Sequence, residues 1–179
     1  MLEKVYELDL KISDRLRMDN AQAKLWKAVT VVAHSGDSWF WVAGLILVWF
    51  FSQTYHGISA FLILAIIVLA GIVMGIKLFV RRRRPPGDWG AAYRNTDPHS
   101  FPSGHAARAC MLAWFAVQLG PIWLAVLMVA WALLVSLSRI ITGMHYFSDI
   151  LAGILLGITS GQIILIARPL MEAYLAFLF

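Results

Sequence analysis

Three short polar blocks interrupt an otherwise apolar chain. They read Lys77 followed by Arg84-Pro85, then Pro102-Ser103-Gly104-His105, then Ser138-Arg139 followed by His145 and Asp149. Their side chains offer cations, two histidines, a carboxylate and a hydroxyl, an inventory for binding and cleaving a phosphate ester. Each block falls at the mouth of a long hydrophobic segment, where ionisable residues are costly and mark sites that handle charge.

Lys77 and Arg84 are seven residues apart, about two helical turns, so a helix running past the membrane puts them on one face with Arg81 before Pro85-Pro86 stops it. By itself, the run Arg81 to Arg84 reads better as a basic border at the lipid surface. Ser103 stands where a helix N-cap belongs and Gly104 lets a ligand approach the backbone, so the amides of Gly104 and His105 are set to face an anion. A cap without a ligand accounts for those residues equally well. His145 and Asp149 are four residues apart, on one face if helical, so the carboxylate can hold one ring nitrogen and leave the other free to attack. Singly, Asp149 reads as a charge favoured by a helix N-terminus and His145 as an interfacial histidine. Their combination with His105, Lys77, Arg84 and Arg139 makes those separate readings improbable. Asp149 also opens a stripe through Gly153, Gly157 and Gly161, small residues at a spacing that lets a neighbouring helix come close.

The elements that must position these blocks are membrane helices. With 179 residues, 60% of them hydrophobic and 14% charged, the chain reads as a single all-α membrane domain. About five spans are expected, at 38–52, 57–76, 103–119, 121–140 and 148–167, with Gly120-Pro121 as a tight hairpin and Arg168-Pro169 ending the last. Residues 1–30 alternate charge with apolar positions Val5, Leu8, Ile12 and Leu16, the pattern of an amphipathic helix, or two, on the membrane surface. No signal peptide is read there. Short connections make the spans alternate in direction, so all three blocks reach one membrane face, where the segment 81–102 can fold over them. The net charge of +5 sits at span edges and suits lipid headgroups or a phosphate substrate, not nucleic acid. Cys110 is the only cysteine, which excludes an intrachain disulfide.

The pattern Lys-x6-Arg-Pro, Pro-Ser-Gly-His, Ser-Arg-x5-His-x3-Asp resembles the signature of the type 2 phosphatidic acid phosphatase superfamily, which includes vanadium haloperoxidases and glucose-6-phosphatase. The match runs through Lys77, Arg84, Pro85, Pro102 to His105, Ser138, Arg139, His145 and Asp149. The resemblance implies that His145 is the nucleophile forming a phosphohistidine, oriented by Asp149, and that His105 protonates the leaving oxygen and then activates water. It further implies that Lys77, Arg84, Arg139, Ser103 and the Gly104 amide hold the phosphoryl oxygens. No metal or cofactor is expected, because the cations already supply the positive charge. The N-terminus departs from the larger, six-span members, with a surface helix in place of the first span.

The expectation is therefore a multi-pass cell-membrane enzyme that removes the terminal phosphate of a lipid phosphate or diphosphate, of phosphatidate, phosphatidylglycerophosphate, polyprenyl or lipid A type. A phosphotransferase with a hydroxyl acceptor and a non-catalytic lipid-binding or transport protein are the rivals. Specificity is expected in Asp88 to His99 and in grooves between spans. The excess of Lys and Arg on the site side, against Arg168 alone on the other, predicts a cytoplasmic active site.

Overall fold

The computed structural model describes residues 2–18, 23–86 and 97–179. Among the described residues there are seven α-helices, α1 (Leu2–Leu16), α2 (Ala23–Ser35), α3 (Ser38–Phe51), α4 (His56–Val80), α5 (Gly104–Leu119), α6 (Ile122–Ile141) and α7 (Phe147–Tyr174), followed by a single 3-10 turn, Ala176–Leu178. This is the all-helical membrane bundle that the sequence predicts.

Three helices, α4, α6 and α7, are each long and apolar enough to cross a membrane. Their outward residues show why lipid must cover them. Ile67 and Val68 on α4, Val126 and Leu133 on α6, and Leu155 and Ile166 on α7 are all exposed, more bare apolar side chain than a protein presents to water. The expected span 38–52 resolves differently. Helix α3 has only 14 residues, and it passes as a span only together with α2, from which it is bent by 54°. The bend falls at Gly36-Asp37, between the two helices. The expected span 103–119 becomes α5, only 16 residues long, about 24 Å at the usual helical rise. It runs from the site to the Gly120-Pro121 hairpin, enclosed by its neighbours, with Ala106, Ala107, Ala109, Ala113 and Ala116 all buried.

Packing around α5 sets the position of everything else. Phe61, Leu69, Met111, Phe115 and Ile164 join α4, α5 and α7 in one core, and the Phe61 and Phe115 rings meet at 5.0 Å. The glycine stripe of α7 lies against α5. A Cβ at Gly153 would stand 2.6 Å from the Ser103 carbonyl oxygen and one at Gly157 only 2.1 Å from that of Ala107, so the two backbones touch as they do where small residues line membrane helix pairs.

Two boundaries depart from the sequence reading. Helix α7 does not end at Arg168-Pro169 but continues to Tyr174 with Pro169 inside it. A proline costs a membrane helix one amide donor without necessarily ending it, and the side chains of Arg168 and Glu172 pair across it, Nε donating at 2.7 Å. Helix α4 ends at Val80, well before Pro85, because Arg81 turns left-handed at φ 51° and its amide closes on the Lys77 carbonyl at 2.9 Å. Lys77, Arg81 and Arg84 therefore do not share a helical face.

Candidate active site

Four helix ends meet at one end of the bundle: the C-termini of α4 and α6, which carry Lys77 and Arg139, and the N-termini of α5 and α7, which carry His105 and Asp149. Arg84 reaches the same place by a different route. After the reversal at Arg81 the chain runs extended, with an antiparallel bridge between Arg83 and His99 and the Ser100 amide donating to the Arg82 carbonyl at 2.9 Å. This folds Arg84 back over Lys77.

The bonds of His145 define its tautomer. Its Nδ1 lies 2.8 Å from the Ser100 carbonyl oxygen and must carry the hydrogen, and its Nε2 lies 3.1 Å from the Arg84 Nη1 and must offer a lone pair. Asp149 stands next to Nδ1, with Oδ2 at 3.6 Å, beyond hydrogen-bond reach. Its carboxylate accepts instead from the Tyr146 amide at 3.0 Å and from the Arg82 Nη1 at 2.7 Å. The histidine on the loop between α6 and α7 is buried, and burial, followed by the charges of Arg84, Arg139 and Lys77, holds its pKa well below the ordinary value of 6.5. The ring is neutral at physiological pH.

The cations converge on one oxygen. Lys77 Nζ donates to Asp97 Oδ2 at 2.5 Å, and Arg84 Nη2 donates to the same atom at 2.7 Å. Lys77 also reaches the His99 carbonyl at 3.0 Å, and Arg84 the carbonyls of Asp97 at 2.8 Å and Met144 at 3.0 Å. Arg139 is fully buried. Ser103 caps α5, its hydroxyl accepting from the Ala106 amide, and its own amide donates to the Asp149 carbonyl at 3.0 Å. Gly104 packs closely on its α4 side, where a Cβ would stand 3.3 Å from the Val73 side chain. A cavity of about 180 Å³ opens here, with Lys77, Asp97, Gly104, His105, Arg108 and His145 at its polar end and Leu69, Ala70, Val73 and Met74 along its apolar wall.

All eight sequence-predicted residues, Lys77, Arg84, Ser103, Gly104, His105, Arg139, His145 and Asp149, thus lie at this end of the bundle. The structure adds four to which the sequence reading assigned no catalytic or phosphate-binding role. Arg82 joins Asp149 to Asp9 of α1, its Nη2 donating to Asp9 at 2.7 Å, and it stacks 4.0 Å over the Tyr146 ring. Asp9 also accepts from the Ser148 amide at 2.9 Å, while Ser13 takes the Phe147 amide at 3.0 Å. The amides at the start of α7 are thereby capped from a helix far away in sequence. Asp97 lies within the segment Asp88 to His99 where specificity is expected, and Asp37 has no local sequence signal. The expected specificity segment from Asp88 falls largely in 87–96, outside the described residues.

The model of the PAP2 superfamily matches residues 58–170. The chain belongs to the PAP2 superfamily. Over 111 residues, 60% of this chain, it is 39% identical to decaprenylphosphoryl-5-phosphoribose phosphatase of Mycobacterium tuberculosis, and it spans 56% of that relative's length. An undecaprenyl-diphosphatase of Sulfolobus acidocaldarius is 30% identical over 143 residues, covering 77% of this chain and 68% of the relative. Among solved structures, LpxE of Aquifex aeolicus superposes with a TM-score of 0.69 at 26% identity, over 88% of this chain and 94% of LpxE. In this PAP2 member each of the three signature blocks contributes to the polar end of the cavity, through Lys77, through Gly104 with His105, and through His145.

Proposed function

We propose that this PAP2 protein is a phosphatase that removes the terminal phosphate of a lipid phosphate or lipid diphosphate, without a metal, through a phosphohistidine at His145. One observation carries the reading. The Arg84 guanidinium touches both the lone pair of His145 Nε2, at 3.1 Å, and the anionic oxygen Oδ2 of Asp97, at 2.7 Å. A phosphoryl oxygen held where that carboxylate oxygen lies would stand beside the attacking nitrogen.

In this mechanism His145 Nε2 attacks phosphorus, and the bond to the lipid oxygen breaks as His105 gives that oxygen a proton. Water, its proton taken by His105, then attacks the phosphohistidine, the P–N bond breaks and inorganic phosphate leaves. Lys77, Arg84, Arg139, the Ser103 hydroxyl and the amides at the start of α5 stabilise the charge that grows on the equatorial oxygens. The Ser100 carbonyl fixes the tautomer and, with Asp149 close by, steadies the imidazolium as it forms. Lipid is the substrate class favoured by the apolar wall of the cavity and by the lipid substrates in the names of the relatives. Metal independence is favoured by the cluster of cations at the site, Lys77, Arg84 and Arg139, which supplies the positive charge a metal would.

The test is release of inorganic phosphate from phosphatidate, phosphatidylglycerophosphate and polyprenyl phosphates in detergent, with EDTA present and no added acceptor. Wild-type protein should turn over at least one of them, and His145→Ala should abolish that turnover. Dependence on an added alcohol would make the protein a phosphotransferase, and activity retained by His145→Ala would overturn the mechanism.

A further inference from the structure

We propose that Asp37, at the elbow between α2 and α3, is a positioning residue for the reaction, holding His105 as the proton donor to the leaving oxygen. The proposal rests on the reading of His105 given above. Its geometric basis is independent of the three signature blocks, since Asp37 lies outside all of them.

Asp37 occupies the N-cap position of α3 with extended backbone, φ −68° and ψ 138°, yet its side chain makes no capping bond. An aspartate there would ordinarily accept from the second or third amide of the helix. Instead one carboxylate oxygen lies 2.6 Å from Nε2 of His105, and the other 3.1 Å from Nδ1 of His34. Both Asp37 and the His105 side chain are largely shielded, each 14% exposed.

The elbow itself is held in place from three sides. The Trp41 Nε1 donates to the Ser35 carbonyl at 2.9 Å, the Trp131 Nε1 to the Ser35 hydroxyl at 2.9 Å, and Arg108 to the Gly36 carbonyl. Gly36 permits the approach, because a Cβ there would stand 2.8 Å from Val135 and 3.3 Å from the His105 ring. The bend that breaks the α2–α3 span is therefore built around His105.

Electrostatics gives the contact its purpose. Arg139 from α6 and Arg108 from α5 both act on the His105 ring, and Lys77, Asp97 and His145 line the same cavity. Burial, and then the two arginines beside the ring, disfavour the imidazolium that a proton donor must be. Asp37 is the carboxylate bonded directly to the ring and works against them, favouring the protonated form. With Nε2 committed to Asp37, Nδ1 makes no hydrogen bond among the described residues and is the nitrogen left to exchange a proton with the leaving oxygen. That oxygen takes the proton as the P–O bond breaks, and Nδ1 later recovers one from water.

A proton donor matters in proportion to how poor the leaving group is, which supplies the test. Purified full-length protein would be compared on p-nitrophenyl phosphate, whose phenolate leaves unaided, and on dioctanoyl phosphatidate or farnesyl phosphate, whichever the wild type hydrolyses faster. The value of kcat/KM reports the phosphoryl-transfer step for each. Asp37→Asn is expected to lower kcat/KM on the alkyl phosphate by about tenfold or more, part of the roughly 10²–10⁴-fold that a general acid contributes, and to change it little on p-nitrophenyl phosphate. Asp37→Glu should restore most of the loss. Equal losses on both substrates, or none on either, would overturn the proposal and leave Asp37 a brace of the elbow. His105→Ala serves as the reference: if it shows no such dependence on leaving group, the reading of His105 as the acid is what has failed, and the proposal falls with it.

Discussion

His145 is a neutral base among cations, and that state has a pH signature. Its burial, then Arg84, Arg139 and Lys77, hold the folded pKa well below 6.5. The nucleophilic form therefore persists into acid, and the acid limb of kcat/KM should fall well below pH 6.5. Replacing Arg84 with Gln removes the leading cation, raises the His145 pKa and should move that limb upward, toward 6.5. Measuring both proteins on one substrate cancels the substrate's own second ionisation, near pH 6. An acid limb that stays in place in Arg84→Gln would show that the cation does not set the protonation of His145. The same sign governs stability. Below pH 6.5 the unfolded histidine takes up a proton that the folded one refuses, so this group's contribution declines as pH falls toward the folded pKa.

The decisive contact between elements is the seam of α5 and α7. It carries Ser103 and His105 on one side and Asp149 on the other, with the Ser103 amide tied to the Asp149 carbonyl at 3.0 Å. At Gly157 an added methyl would lie 2.1 Å from the Ala107 carbonyl oxygen, a clash with backbone that no rotamer change relieves. Gly157→Ala should destabilise the protein by about 1–3 kcal/mol, the usual cost of overpacking, and should reduce activity by moving the two helix ends apart. Gly71→Ala is the control, because its new methyl would meet nothing within 4 Å. Thermal unfolding in one detergent would separate the two, and equal melting temperatures would refute the account of the seam.

Across the whole molecule, the apolar belt of α4, α6 and α7 and the cationic end of the bundle define an axis but not its sign. We propose that the site faces the cytoplasm, on the excess of basic residues at that end, among them Lys11, Arg15, Arg17, Lys24 and Lys27, against Arg168 at the other. In a Cys110→Ala background, a single cysteine at exposed Glu7 on α1 reports the site side, and one at exposed Thr54, between α3 and α4, reports the opposite side. A membrane-impermeant maleimide applied to intact cells should label Thr54→Cys and spare Glu7→Cys. The reverse pattern would place the substrate pool in the outer leaflet.

What the sequence by itself determined is what depends on residue type and short spacing. Long apolar runs require helices in lipid, the Gly153, Gly157 and Gly161 stripe announced a close helix contact, and the three signature blocks named the candidate residues. Only the tertiary structure decided the contacts that cross the chain. Arg84 reaches Lys77 because Arg81 reverses the backbone, not because the two share a helix face. The Ser100 carbonyl, and not Asp149, bonds the Nδ1 of His145. Asp9, Asp37 and Arg82 join the site from segments whose local sequence gives no sign of it. A carboxylate reads the same in sequence whether it caps a helix or pairs with a distant ring. Which it does depends on where packing brings its backbone, and in this bundle that was settled by the bend at Gly36-Asp37 and by the short helix α5 that the other helices enclose.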